Sequence, residues 1–256
     1  MKTRWLLISV LIVSSIASCQ PKPEPQPLSE GATASSNVSE TEKTKTPQVK
    51  ELASEDRTHA FPSELLHEGA RYFGAPFEKP VRYRIKGGGE ALTDTRTVRV
   101  VSVENGVAKI EAVWKGKMAE RVGTESYEIN KDGVYAVSIG GASIQPKSIY
   151  LPAELTKGKT WTTKYSFTSP QMGTLSVESK YKVIGKEKVK VSLGAYDAIV
   201  VSETGTLRGG NISLNVTSRS YFAEGIGVIK LVSTQKGKVA DQPREIRLEF
   251  EAISEG

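Results

Sequence analysis

The stretch Arg96-Thr97-Val98-Arg99-Val100-Val101-Ser102-Val103-Glu104-Asn105-Gly106-Val107-Ala108-Lys109-Ile110-Glu111-Ala112-Val113-Trp114-Lys115 decides the fold class. Two runs rich in β-branched residues flank an Asn-Gly pair. Asn-Gly is the preferred centre of a type I′ turn, which needs positive φ at both positions and joins two antiparallel strands tightly. On the far side of the turn Ala108, Ile110, Ala112 and Trp114 share one face, and Lys109 and Glu111 lie on the other. That alternation predicts a strand with one buried and one wet face.

Outward from this hairpin the period of two continues. Tyr127 to Asn130, Asp132-Gly133 and Val134 to Ile139 predict a second hairpin. Further strands are predicted over 159–168, 173–184, 187–192, 196–205, 211–222, 226–235 and 244–253, and the pattern begins at Val81. Ile246, Leu248, Phe250 and Ala252 oppose Glu245, Arg247, Glu249 and Glu251; Ile212, Leu214 and Val216 oppose Ser213, Asn215 and Thr217. Tyr196 to Val201 is apolar on both faces and should lie centrally. The expected architecture is mainly β: a curved antiparallel sheet, either an unclosed barrel or two layers. A short N-terminal helix precedes it, with Ser63 as N-cap and an end near Gly69.

Before Phe61 the composition changes. Gln-Pro-Lys-Pro-Glu-Pro-Gln-Pro from Gln20 is extended by its prolines, and the following Ser, Thr, Glu and Lys hold too little apolar surface to fold. As a coil, about 35 such residues span roughly 30–35 Å. Ahead of them Lys2 and Arg4 precede an apolar run, Trp5 to Val13, and small residues lead to Cys19. This is the layout of a secretory signal peptide, too short to remain as a membrane span. The expected organisation is a signal peptide over 1–18, a disordered tether over 19–56 and one β domain over 57–256.

Ile16-Ala17-Ser18-Cys19 resembles the bacterial lipobox. The resemblance implies cleavage between Ser18 and Cys19 and acylation of Cys19, giving a diacylglyceryl and palmitate-type anchor; the alternative is an ordinary signal peptide with an incidental cysteine. More than one acyl chain suffices for stable anchoring. Gln20 rather than Asp after the cysteine implies, in a bacterium with two membranes, sorting to the periplasmic face of the outer membrane. Removal of Lys2 and Arg4 takes the formal charge from +6 to +4 (6 − 2). With no dense basic block, a nucleic-acid partner is not expected.

Three later segments carry a second resemblance. Leu151-Pro152-Ala153-Glu154-Leu155 followed by Lys157-Gly158-Lys159-Thr160-Trp161, then Val189 to Ala198, then Tyr221-Phe222-Ala223-Glu224-Gly225-Ile226-Gly227-Val228-Ile229-Lys230 resemble the TapB-like domains of bacterial exported proteins and lipoproteins. Ser192-Leu193, Tyr196 and Glu224 depart from that pattern. TapB-like domains are similar in fold to the LolA/LolB lipoprotein carriers, which implies an unclosed barrel whose hollow takes acyl chains.

Residue types argue against catalysis. His59 and His67 are the only histidines, and Cys19 is the only cysteine. His67-Glu68 lacks the second histidine of a zinc-protease helix, and Gly141-Ala142-Ser143-Ile144-Gln145 lacks the closing glycine of a nucleophile elbow. Gly87-Gly88-Gly89 has no following Lys-Ser/Thr and reads as a loop. Most carboxylates fall on wet strand faces. No metal, cofactor or catalytic set is expected. A non-catalytic, membrane-anchored binding module is the leading expectation, its target a lipid-like ligand or an envelope protein. Trp114, Trp161, Tyr165, Phe167 and Tyr181 are the candidate apolar ligand face, although aromatics at period two also build plain core. The alternative is a scaffold that recruits partners at strand edges or at the loops 140–148 and 205–211.

Overall fold

The computed structural model describes residues 61–77, 79–169 and 172–254. The expected signal peptide over 1–18, with Ser18, then Cys19, His59 and the expected tether over 19–56 lie outside these residues. Within them, twelve strands follow one another up and down. They are β1 (Val81–Gly87), β2 (Glu90–Glu104), β3 (Val107–Trp114), β4 (Thr124–Asn130), β5 (Gly133–Ile139) and β6 (Ala142–Pro152), then β7 (Thr160–Ser169), β8 (Gly173–Val191), β9 (Gly194–Gly209), β10 (Ile212–Ala223), β11 (Gly227–Val239) and β12 (Gln242–Ile253).

Asn105 and Gly106 have φ of 51° and 73°, the I′ turn that their sequence calls for. Val100 and Ser102 flank an irregularity in the β2–β3 ladder, but Arg96 still pairs with Trp114 and Glu104 with Val107. The segments 173–184 and 187–192 form the single strand β8, with one irregularity between Val183 and Gly185. Loops expected at 140–148 and 205–211 are instead mostly strand, in β6 and β9. Gly140-Gly141 and Pro146 obscured β6, whose Ile144, Ser148 and Leu151 are buried.

The sheet is neither open nor two-layered; it is a closed barrel. β1 pairs with β2 on one side and with β12 on the other, from Arg82↔Ile253 to Gly87↔Leu248. Amphipathic strands look the same whether or not the first and last of them meet, so the sequence pattern cannot distinguish an open sheet from a closed one. Closure removes the two free edges that an open sheet would expose. The outer face carries Arg82, Arg84 and Lys86 on β1 and Glu245, Arg247, Glu249 and Glu251 on β12. A lipid-facing barrel carries an apolar outer band, and β1 and β12 carry charged residues there instead.

One seam is weak. β6 and β7 share a single ladder pair, Gln145↔Ser166, while β7–β8 pairs continuously from Thr160↔Lys182 to Ser169↔Gly173. Pro146 follows Gln145 directly and brings no N–H to the ladder.

Helical structure is sparse: a 3₁₀ turn at Ser63–Leu65, α1 (Glu68–Phe73) and α2 (Lys117–Arg121). The helix expected from Ser63 is displaced, because His67 and not Ser63 makes the cap. The His67 Nδ1 accepts from the Ala70 N–H at 3.1 Å, and its Nε2 lies 2.9 Å from the Asn130 carbonyl. α1 packs against the barrel so closely that a Cβ on Gly69 would stand 2.2 Å from the Pro152 carbonyl oxygen. Phe73 at its end packs on Tyr127 and Tyr150, with ring centroids 4.7 and 5.7 Å away.

Candidate functional site

Two regions of the barrel interior hold acidic side chains. In the first, Glu125 on β4 meets Arg96 on β2. The Arg96 Nη2 and Nε donate to Glu125 Oε2 at 2.8 and 3.3 Å, the Tyr127 hydroxyl donates to the same oxygen at 3.0 Å, and the Trp114 Nε1–H donates to Oε1 at 3.3 Å. The guanidinium also lies 5.8–6.0 Å from the ring centroids of Phe73, Trp114 and Tyr127. Burial opposes the charge on Arg96, but Glu125 together with Tyr127 and Tyr83 holds its proton more firmly than usual. Burial likewise pushes the Tyr83 hydroxyl up to about 12. Nearby, Asp94 accepts from the Met118 N–H and so caps α2. Both Glu125 oxygens are hydrogen-bonded and aromatic rings pack around the ion pair, beside a small cavity of about 20 Å³ lined by Phe73, Tyr83 and Arg96.

The second region follows one row across the sheet. Trp161, Tyr181, Glu203, Ser218, Ser233 and Leu248 are successive Cα partners on β7 to β12. They line a cavity of about 80 Å³, closed further by Tyr150, Val201, Val216 and Phe222. The space exists because three of its liners, Ser218, Ser220 and Ser233, are small. Glu203 accepts from the Ser179 hydroxyl at 2.8 Å, from Tyr181 at 3.0 Å and from Ser218 at 2.7 Å. Among the described residues no Lys, Arg or His forms an ion pair with it. Burial, and then the Glu203 carboxylate, raise the pKa of Tyr181 well above its ordinary value.

Next to the cavity or in the adjoining row, Trp161 Nε1, Thr163 Oγ1 and both amide atoms of Gln235 are buried atoms with no hydrogen-bond partner among the described residues. Thr163, Ser179, Gly205, Val216 and Gln235 form that adjoining row. Gly205 is required there, since a Cβ would sit 2.1 Å from the Ser179 hydroxyl that Glu203 holds.

The five aromatics expected to form a ligand face separate. Trp161 and Tyr181 stack at 5.2 Å with their planes 12° apart, and both line the cavity. Tyr165 and Phe167 are buried further along β7, their ring centroids 6.4 Å apart, outside the cavity wall. Trp114 belongs to the Arg96 region, between Tyr83 and Phe250. Glu203, Ser218 and Ser233 were not expected in the site. Their signal was present as parity: Glu203 shares its face with Val201 and Leu207, and Ser218 continues the apolar face of Leu214 and Val216.

No family model and no curated protein matches the chain. Solved structures similar to it include three bacterial proteins. One from Bacteroides fragilis, described as an exported protein with a YmcC-like fold, is 10% identical with a TM-score of 0.47 over 71% of this chain and 99% of its own. A protein from Parabacteroides distasonis described as a lipoprotein is 12% identical with a TM-score of 0.44, covering 70% of this chain and 96% of its own. The hypothetical lipoprotein YmcC from Escherichia coli is 10% identical with a TM-score of 0.33, covering 78% and 91%.

Proposed function

We propose that this chain is a bacterial lipoprotein, cleaved after Ser18 and acylated on Cys19, whose barrel is a non-catalytic binding module for a small ligand with an apolar body. The tether over 19–56 gives the barrel reach from the membrane, and Gln20 directs it to the periplasmic face of the outer membrane where there are two membranes. The observation that carries the binding reading is the cavity behind Trp161: about 80 Å³ of space beside the Glu203 carboxylate and a buried Trp161 Nε1 that has no hydrogen-bond partner among the described residues. A vacant core defect would cost stability, whereas a ligand supplies both the missing contacts and the missing partners.

The β6–β7 seam offers a route to the cavity: its one ladder pair is Gln145↔Ser166, and Tyr150 of β6 and Trp161 of β7 both line the cavity. The unpaired part of the β6–β7 seam therefore runs past the cavity wall. The same seam supports a second reading, a scaffold that accepts a partner's strand there.

Native mass spectrometry of the chain from residue 19 onward, with Cys19→Ser and no detergent, tests the first reading. A retained small molecule released on denaturation is expected. A clean apo mass with no uptake of added fatty acid or lipid would overturn it and leave the scaffold. For the anchor, intact mass of the protein from its own membrane should show Cys19 as an acylated N-terminus; an unmodified Cys19 would refute lipidation.

A further inference from the structure

We propose that the cavity receives the ammonium group of an apolar amine, with Glu203 as its counter-charge. This rests on the binding-module reading and specifies the ligand class. The barrel interior accommodates an inward-facing carboxylate in two ways: Glu125 is buried and Glu203 half-buried. Glu125 has a guanidinium against it and rings packed around both. Glu203 has three hydroxyl donors and an empty space of about 80 Å³ beside them. A carboxylate accepts up to about four hydrogen bonds when ionised, so three hydroxyls leave room for one more donor. A cation there would be attracted far more strongly than in water, because apolar walls screen poorly.

The remaining liners suit the same guest. The stacked Trp161 and Tyr181 offer aromatic surface beside the carboxylate, and ring faces attract ammonium groups. Trp161 Nε1 is a buried donor with no acceptor among the described residues, which suits an oxygen a few atoms from the amine. Leu248, Phe222, Val201 and Val216 give the cavity its apolar side. The volume takes an ammonium head and a few methylenes, and a longer chain would leave through the seam between Tyr150 and Trp161. A free amine and an amine-bearing lipid headgroup present the same chemistry.

Calorimetric titration of the chain from residue 19 onward, carrying Cys19→Ser, with n-octylammonium, n-octanol and n-octanoate at pH 7 provides the test. Octylammonium should bind at least about tenfold tighter than octanol, and octanoate more weakly than either. Glu203→Gln should bring octylammonium to within about threefold of octanol. Equal or tighter binding of octanol would overturn the proposal, as would an unchanged octylammonium affinity in Glu203→Gln. The ranking of the three probes on the native side chains decides the matter even if that variant folds poorly. If none of the three binds, the binding-module reading falls together with this one; if octanol or octanoate binds at least as well as octylammonium, only the charge preference falls. A short-chain lipid bearing a primary amine, compared with octylammonium, separates the two sources.

Discussion

Glu125 and Glu203 stand on the same inner surface of one barrel, and their surroundings differ in every respect that matters. Around Glu125 the sequence provides an arginine, two hydroxyl- or N–H-bearing aromatics and Phe73 from α1, and the space left beside Arg96 is only about 20 Å³. Around Glu203 it provides three hydroxyls, three serines among the cavity liners and no cation among the described residues. A buried charge is tolerated when paired and fully hydrogen-bonded. The first region meets that condition from within the chain. The second has no cation among the described residues to meet it, and that is the basis on which we propose binding there.

The largest expected effect breaks the first region. Arg96→Met leaves Glu125 as an uncompensated buried carboxylate, which costs about 3–5 kcal/mol. Denaturant unfolding should show that loss. Arg96→Met combined with Glu125→Leu should recover most of it, because an apolar replacement of both partners removes the desolvation cost. Glu203→Gln, by contrast, should change stability by no more than about 1 kcal/mol, since an amide oxygen still accepts from hydroxyls and no cation is stranded. A loss as large as that of Arg96→Met would mean that Glu203 is structural and that the contrast is false.

Filling the void sharpens the same contrast. Ser233 is buried and lines the cavity. Ser233→Val should stabilise the protein by about 1 kcal/mol, in the range of cavity-filling changes, and should abolish ligand uptake. Thermal unfolding and probe titration of one preparation check both halves. A neutral or stabilised variant that still takes up ligand would move the binding site elsewhere. The seam gives a kinetic counterpart. Hydrogen exchange should be faster at the β7 amides between Thr160 and Tyr165 that face β6 than at those that face β8, where the ladder is continuous.

Much of the architecture was legible in residues 96–115, because an Asn-Gly turn between two alternating runs leaves one way to pair them. Closure was not legible, since Arg82 to Gly87 and Leu248 to Ile253 look like any pair of amphipathic strands until their register is seen. β6 was hidden by Pro146 and two glycines, which mark a loop locally even where a strand is held by its neighbour β5. Size and parity put Trp161 and Tyr181 on the inner face, and there they line the cavity. Glu203 was missed because a lone acid on an apolar face resembles a slip in alternation; only the ladder shows that Ser218 and Tyr181 stand beside it. Trp114 was grouped with the ligand face by the same parity that in fact placed it next to Glu125. Parity assigns an inner face, and it does not say which part of the interior that face meets.

The smallest effect concerns the cover over the Arg96 region. α1 brings Phe73 to the guanidinium, and its first turn is held by His67, which accepts from the Ala70 N–H through Nδ1 and reaches the Asn130 carbonyl through Nε2. Only the neutral imidazole with its proton on Nε2 can do both. Burial is the main cause that lowers its pKa below 6.5, opposed by the Asn130 carbonyl and assisted by Arg71. The unfolded chain therefore binds the proton more readily than the folded one. The contribution of His67 is full above pH 6.5 and is lost as pH falls through the lowered folded value. Its size should be that of a helix cap, about 1 kcal/mol. Melting temperature between pH 7.5 and 5 should fall less in His67→Asn, which caps without titrating, than in the native chain. The Glu203 side of the comparison carries no such histidine among its liners, so in the absence of ligand the His67→Asn variant should remove the histidine-linked part of the decline while leaving probe affinity at pH 7 unchanged. An affinity that shifted with His67 would join the two regions into one site.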